Sequence, residues 1–315
     1  MALRPEHVVA LVGGVGGAKL AAGLVRILPP EQLTIVVNTG DDFWHYGLRI
    51  CPDLDTVMYT LGGLVDPVNG WGVAGDTTAL LDALKRYGED AWFRLGDQDV
   101  ATHLLRSEAL RNGERLTEVT RQLTNKLGIL HPLLPMTDAP VETMIDTVEY
   151  GELPFQTYFV RYRWQPTMKA LRYAGADHAE ASPEVIAALE NADAILIAPS
   201  NPWLSLAPML AVKPFRELLL EKNVPRVAVS PIVAGTAIKG PAAKLMAELG
   251  YDVSPRSVAD FYGDLISGFV YDIQDSNLKI SGKKTFMTDT IMRDQADRER
   301  LAGQILDWIT AEVWD

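Results

Sequence analysis

The stretch HVVALVGGVGGAKLAAGLVRILPPEQLTIVVN, residues 7 to 38, decides the fold. A short apolar run meets a glycine cluster, an amphipathic segment follows and is closed by Pro29 and Pro30, and a second apolar run, LTIVVN, comes next. That order predicts strand, loop, helix, strand. Strands alternating with helices build a mostly parallel sheet covered on both faces, so the fold class is α/β, Rossmann-like. Its first strand-to-helix turn lies at the carboxyl edge, where ligands bind.

Working outward, DAILIAP (193 to 199) and RVAVSP (226 to 231) are further buried-strand candidates, each followed by helical text. Between the two halves the spacing predicts helices over 76–87, 98–111 and 116–127, each stopped by a glycine. FQTYFVRYRW (155 to 164) alternates as a strand does, with Phe155, Thr157, Phe159, Arg161 and Arg163 on one face. The expected organisation is a single domain over 1–315. Its core spans about 1–65 and 185–275, with a helical insertion at about 75–135 and a strand-rich segment at about 145–175.

The chain has 315 residues, 48% of them hydrophobic and 22% charged, which excludes disorder, collagen and coiled coil. Its net charge of −12 repels a phosphate backbone, so nucleic acid is excluded as a general partner. A small anionic substrate must then be met by backbone amides, a divalent metal or a few placed bases. The single cysteine, Cys51, rules out an intrachain disulfide and a CxxC site, in keeping with a reducing cytoplasm. The apolar stretch 194–212 contains Pro199, Pro202 and Pro208, and no segment reads as a membrane span or signal peptide.

GGVGGAK, Gly13 to Lys19, departs from two phosphate-binding templates. A Walker A loop needs glycine at 18 and Ser or Thr at 20, where Ala18 and Leu20 stand. The dinucleotide fingerprint needs Gly or Ala at Lys19. A phosphate cradle of another type is expected, built from backbone N–H groups at a helix N-terminus. The competing role for the glycines is close helix-to-strand packing. Downstream, Asp41, Asp42, Asp53 and Asp55 fall within fifteen residues, the first pair on the same rim as the glycine loop. Carboxylates converging there would repel a phosphorylated ligand without a divalent cation between them, so metal-assisted phosphoryl chemistry is expected. Asp53, directly after Pro52, is equally placed to cap a helix. The five histidines show no zinc-binding spacing, and no GxSxG elbow occurs; His45 and His103 lie near motif text.

Taken together, GGVGGAK, VVNTGDD, CPDLDTVMYTLGG, WGVAGDT, LGDQDVATHLLRS, LLPMTD, VRYR, LIAPSNP, VSPIVAG and GPAAKLM, in this order from residue 13 to 246, resemble the 2-phospho-L-lactate transferase family of coenzyme F-420 biosynthesis. The acidic string and VRYR are similar to the bacterial, phosphoenolpyruvate-using branch. The resemblance implies a Mg²⁺-dependent transfer in which the terminal ribityl hydroxyl of the deazaflavin Fo attacks a guanosine diphosphate-linked donor and GMP leaves. It further implies that Asp55 and Arg94 contact Fo, that Asp41 and Asp55 hold the metal with Asp42 and Asp53 behind them, and that Gly13, Gly14, Val15, Gly16, Gly17 and Lys19 hold the donor phosphates. Ser200, Asn201 and Ser230 are placed toward guanosine, Asp42 as general base, and Arg161 and Arg163 toward the donor carboxylate. The expected partners are these small molecules, with no nucleic acid and no membrane, in a cytoplasmic homodimer. Two other classes compete. A nucleotide-sugar-binding regulatory factor of the gluconeogenesis type would carry a glycine-serine stretch where Phe43, Trp44 and His45 stand, and a nicotinamide dehydrogenase would need the missing third glycine.

Overall fold

A computed structural model describes residues 5–237 and 240–313. The elements run β1 (Val8–Val12), α1 (Gly14–Ile27), β2 (Leu33–Val37), β3 (Phe43–His45), β4 (Leu48–Ile50) and α2 (Pro52–Leu61). The helices α3 (Ala79–Arg86), α4 (Asp99–Arg111) and α5 (Leu116–Lys126) follow, then β5 (Leu133–Pro135), β6 (Glu142–Thr147), β7 (Gly151–Pro154) and β8 (Met168–Ala174). The second half contributes α6 (Pro183–Asn191), β9 (Ala194–Ile197), α7 (Ala207–Ala211), α8 (Phe215–Glu221) and β10 (Arg226–Val229). The short pair β11 (Ile232–Val233) and β12 (Thr236–Ala237) comes next, followed by α9 (Ala242–Glu248), α10 (Pro255–Tyr262), β13 (Gly268–Asp272), β14 (Lys284–Thr288) and α11 (Gln295–Trp308).

Seven strands form one sheet in the order β14-β13-β10-β9-β1-β2-β5, and every pairing in it is parallel. Numbered by their place in the chain, the strands read 3-2-1-4-5-6-7 across the sheet, so the order reverses between β1 and β9. In an open α/β sheet that switch point opens a crevice at the carboxyl ends of the strands. All five residues of β1 and all four of β9 are buried, as helices on both faces require. Leu20, Ala21 and Leu24 of α1 pack with Leu301, Ile305 and Trp308 of α11 in one core layer, and Trp203, Phe215 and Phe269 belong to the layer on the other face.

The three helices of the middle segment form where the spacing predicts them, and β6, β7 and β8 make a separate antiparallel sheet. Three local expectations change. Residues 155–164 form no strand, because Thr157–Arg161 is a wide helical turn. There Phe155 stacks on Phe159, four residues on, and Phe159 stacks on Trp164, so the aromatic rows follow a helical period. Arg161 and Arg163 consequently share no strand face, and Arg161 pairs with Asp90 at 2.6 Å on the surface. The sheet also continues past residue 275, since β14 is its edge strand and α11 covers α1, while β5 at 133–135 closes the opposite edge. Among the described residues, no helix is long and apolar enough to cross a membrane.

Candidate active site

The crevice at the switch point is a cavity of about 520 Å³. Backbone contact between the two strand ends shapes it. Ser200 Oγ accepts from the Gly13 N–H at 2.9 Å and donates to the Gly13 carbonyl at 2.7 Å, clasping the turn after β1 to the turn after β9. The glycines make that approach possible. A Cβ on Gly16 would lie 2.4 Å from the Pro199 carbonyl oxygen, and one on Gly13 would lie 2.4 Å from Ser205. The packing role weighed for these glycines is therefore real for Gly13, Gly16 and Gly17, and Gly17 backs onto Ser200 and Val12. Gly13, Gly14, Val15 and Gly16 also border the cavity, so packing and lining coexist in one loop. Helix α1 begins at Gly14, and the first-turn N–H groups of a helix have no intrahelical acceptor. Lys19 borders the same space and donates to the Met292 carbonyl at 2.8 Å.

The acids come from two elements. Strand β2 ends at Val37, and its continuation carries Asp41 and Asp42. Helix α2 starts at Pro52, whose fixed φ suits a first helical position, and this brings Asp53 and Asp55 into the first turn. Cys51, not Asp53, occupies the cap position. The Asp53 carboxylate instead accepts from Asn38 Nδ2 at 3.0 Å and from the Gly14 backbone, so it braces the glycine loop rather than its own helix. All four acids are buried.

Their surroundings differ. Burial raises the Asp41 carboxyl well above its usual range, and the neighbouring Asp53 and Asp42 add to this, against hydrogen bonds from Asn38 and Thr143. Asp41 Oδ1 is buried with no hydrogen-bond partner. Burial pushes Asp53 up to about 6. Asp42 is pushed up to about 7 by burial, against the opposing charge of Arg49, whose Nη2 stands 3.5 Å away. Asp55 is forked by Arg106: Nη1 donates to Oδ2 at 3.0 Å and Nη2 pairs with Oδ1. Asp99 and His103 complete this side, with His103 Nε2 3.2 Å from Asp99 Oδ1 and the Tyr59 hydroxyl donating to the same oxygen at 2.6 Å. Burial opposes ionisation of Asp99, but the bonds from His103 and Tyr59 hold its carboxyl below the ordinary value. Asp55, Asp99 and His103 offer ligand atoms within 4.8 Å of one another, the spacing of a metal group.

Of the expected site residues, Gly13, Gly14, Val15, Gly16, Lys19, Asp41, Asp55, Arg94, Ser200, Asn201 and Ser230 all border this cavity. Asp42 does not. It lines a neighbouring cavity of about 580 Å³ with Arg49, His45 and Glu142. The polar side chains after β9 and β10 serve their own turns: Asn201 Oδ1 accepts from the Trp203 and Leu204 N–H groups, and Ser230 Oγ bonds both ways with Ile232. Asn201 Nδ2 is left buried without a partner. The outer wall is aromatic, with Trp71, Phe93, Phe155, Phe159 and Trp164, and the Arg94 guanidinium lies 6.0 Å over the Trp71 ring. Neither Arg161 nor Arg163 reaches this wall. Sequence reasoning missed Arg106, Asp99 and Asn38. Asp99, His103 and Arg106 stand at i, i+4 and i+7, one face of a helix, and that spacing was the available signal.

A family model described as 2-phospho-L-lactate transferase CofD matches residues 8–312. The 2-phospho-L-lactate transferase of Methanosarcina mazei is 40% identical over 294 residues, covering 92% of this chain and 96% of that protein. The phosphoenolpyruvate transferase of Thermobifida fusca is 38% identical over 314 residues (96% and 97%), and that of Kitasatospora aureofaciens 43% over 277 residues (86% and 86%). A crystal structure of a UPF0052 family member from Bacillus halodurans superposes with a TM-score of 0.63 over 96% of this chain and 99% of that one, at 14% identity, which speaks to the fold alone. The chain belongs to the 2-phospho-L-lactate transferase family, and is a transferase of that family.

Proposed function

We propose that the protein transfers a phospho-lactyl or phospho-enolpyruvyl group from a guanosine diphosphate-linked donor to the terminal hydroxyl of the deazaflavin Fo, releasing GMP in coenzyme F-420 biosynthesis. The observation that carries this is the make-up of one cavity. A helix N-terminus, buried carboxylates lacking a counter-cation and an aromatic wall with an arginine border the same space. Those are the complements of a diphosphate, a divalent metal and a planar acceptor.

The residues present fit Mg²⁺. Asp41 has a buried oxygen without a partner, beside a second carboxylate that raises its pKa, and two such acids are stable together when a cation lies between them. Asp41 and Asp53 would hold the ion, and Asp55 completes the acidic wall through lone pairs that Arg106 leaves over. When bound, the ion neutralises charge on the donor phosphates and polarises the phosphorus.

The chain's own groups do the rest. First-turn N–H groups of α1 meet the phosphates with a helix dipole of about half a charge. Trp71, Phe93 and Arg94 hold the ring system of the acceptor, and Asp55 orients its hydroxyl toward phosphorus. The new O–P bond forms as the P–O bond to GMP breaks, and the hydroxyl proton passes to a carboxylate of the wall. Asp55 suits that part better than Asp42, which faces the neighbouring cavity. The aromatic wall beside the reacting groups keeps water away, which would otherwise compete for the phosphoryl group.

Purified protein incubated with Fo, Mg²⁺ and each of the two donors tests the proposal by product mass. A product carrying the three-carbon acid through a phosphodiester, together with GMP, is expected. Absence of product with both donors would refute it. Binding of a nucleotide sugar without turnover would restore the regulatory-factor alternative.

A further inference from the structure

We infer that Arg106 positions Asp55, and that Asp55, Asp99 and His103, whose spacing is that of a metal centre, form a hydrogen-bonded clamp closed by this arginine. The inference rests on the part assigned to Asp55 above.

Arg106 is 2% exposed, on the face of α4 that also carries Asp99 and His103. Its Nη1 donates to Asp55 Oδ2 at 3.0 Å and to the Arg49 carbonyl at 3.3 Å, while Nη2 takes the other carboxylate oxygen. Nη1 also lies 3.3 Å from His103 Nδ1. A guanidinium has only donors, so Nδ1 presents its lone pair to it and the ring proton falls on Nε2, which stands 3.2 Å from Asp99 Oδ1 without closing a hydrogen bond. The one lone pair of the imidazole is thus turned toward Arg106. A metal taking Nδ1 would have to expel a buried guanidinium that cannot lose its proton, and a metal beside it would face a full positive charge. The cation these carboxylates need is already built into the protein.

The fork explains why the cation is an arginine. Two parallel N–H···O bonds fix both the place and the plane of a carboxylate, whereas an ammonium fixes only its distance. Asp55 sits in a helical first turn at the cavity edge, and orienting a hydroxyl for attack demands placement within about 0.5 Å. His103 lies beside the same Nη1 and is itself backed by Asp99, which the Tyr59 hydroxyl bonds. Arg106 does not itself border the cavity, so it acts through Asp55.

Two measurements test the two halves. The first uses Mn²⁺ in place of Mg²⁺ and electron spin-echo modulation of the bound ion, which detects a directly coordinated nitrogen. No imidazole nitrogen coupling is expected, and a coupling that disappears in His103→Asn would overturn the clamp. The second is steady-state kinetics. Arg106→Lys keeps the charge and loses the fork, so kcat should fall at least about tenfold, with the donor KM within about twofold of wild type in a protein that still melts cooperatively. Arg106→Met should lose at least about a hundredfold. A folded Arg106→Lys enzyme with wild-type kcat would overturn the positioning role. A wild-type protein without any turnover would instead refute the transferase proposal and leave the nitrogen measurement standing.

Discussion

Two groups of carboxylates border one cavity, and they are balanced in opposite ways. Asp55 and Asp99 are met by Arg106, His103 and Tyr59, so their charge is compensated inside the protein. Asp41 and Asp53 are met by neutral donors, chiefly Asn38, and by each other. Burying a carboxylate costs several kcal/mol unless it is paired, so without a cation the second group holds its protons to higher pH, and on the function proposed above a divalent ion takes their place. On the function proposed above, the compensated side is scaffolding for a nucleophile and the uncompensated side a receptor for a cation.

The largest effect expected from this contrast is at Asp55. Asp55→Asn keeps the shape, but it leaves Arg106 buried opposite a neutral amide and costs about 3 kcal/mol of stability. Turnover should drop by at least about a hundredfold, because the acceptor hydroxyl loses its orienting charge. Calorimetry and steady-state kinetics on the same sample check both. Retained turnover would break the comparison from the compensated side.

At Asp41 the sign of the stability effect reverses. Asp41→Asn removes a carboxylate that lacks a counter-charge, so the metal-free protein should gain about 1 kcal/mol while metal binding is lost. Mn²⁺ titration followed by electron paramagnetic resonance, with thermal melts in chelator, reads the pair of effects. If the variant is destabilised and still binds the ion, Asp41 belongs to the compensated class and the contrast fails.

The same imbalance sets a pH dependence. Asp53 is pushed up to about 6 and Asp42 to about 7 in the folded chain, both above the unfolded value near 4, so the folded state holds more protons than the unfolded one in this range. Stability from these groups is fully present below about pH 4 and is lost as pH rises through 6 and 7. In chelator, the melting temperature should therefore climb by at least about 3 °C on going from pH 8 to 5.5, and Mg²⁺ should flatten the rise. A metal-free protein that melts lower at pH 5.5 would contradict it.

Much of this was legible in the chain because it depends on local spacing. The strand-loop-helix-strand text of 7–38 specified the parallel sheet and its carboxyl-edge site, and glycine stops delimited α3, α4 and α5. The acids of 41–55 were visible as a cluster. What separated them was not visible, because Arg106 lies 51 residues from Asp55 and only the fold, which packs α4 against β4 just ahead of α2, joins them. Asn38 was passed over because a lone amide at a strand end reads as a turn residue, although it bonds Asp53. The aromatic string at 155–164 reads as a strand because Phe155 and Phe159, four residues apart, satisfy a two-residue and a four-residue period alike. Ring stacking decided for the helical turn.

The smallest expected effect lies on the aromatic wall, away from both acid groups. Arg94 stands before the LGDQD string, its guanidinium 6.0 Å over the Trp71 ring, and both side chains border the cavity. A partly exposed cation–π contact is worth about 0.5–1 kcal/mol, and a guanidinium lying against a bound ring system adds contact area of similar value. Arg94→Ala removes both without touching the phosphorus, the cation or the clamp. The loss is one of acceptor capture, felt equally in the ground state and the transition state, so the acceptor KM should rise about tenfold while kcat stays within about twofold. The melting temperature should not move, because no buried partner is orphaned. If Arg94→Ala instead lowered kcat at unchanged KM, the arginine would be acting on developing charge, and the division between a binding wall and a reacting acidic rim would have to be abandoned.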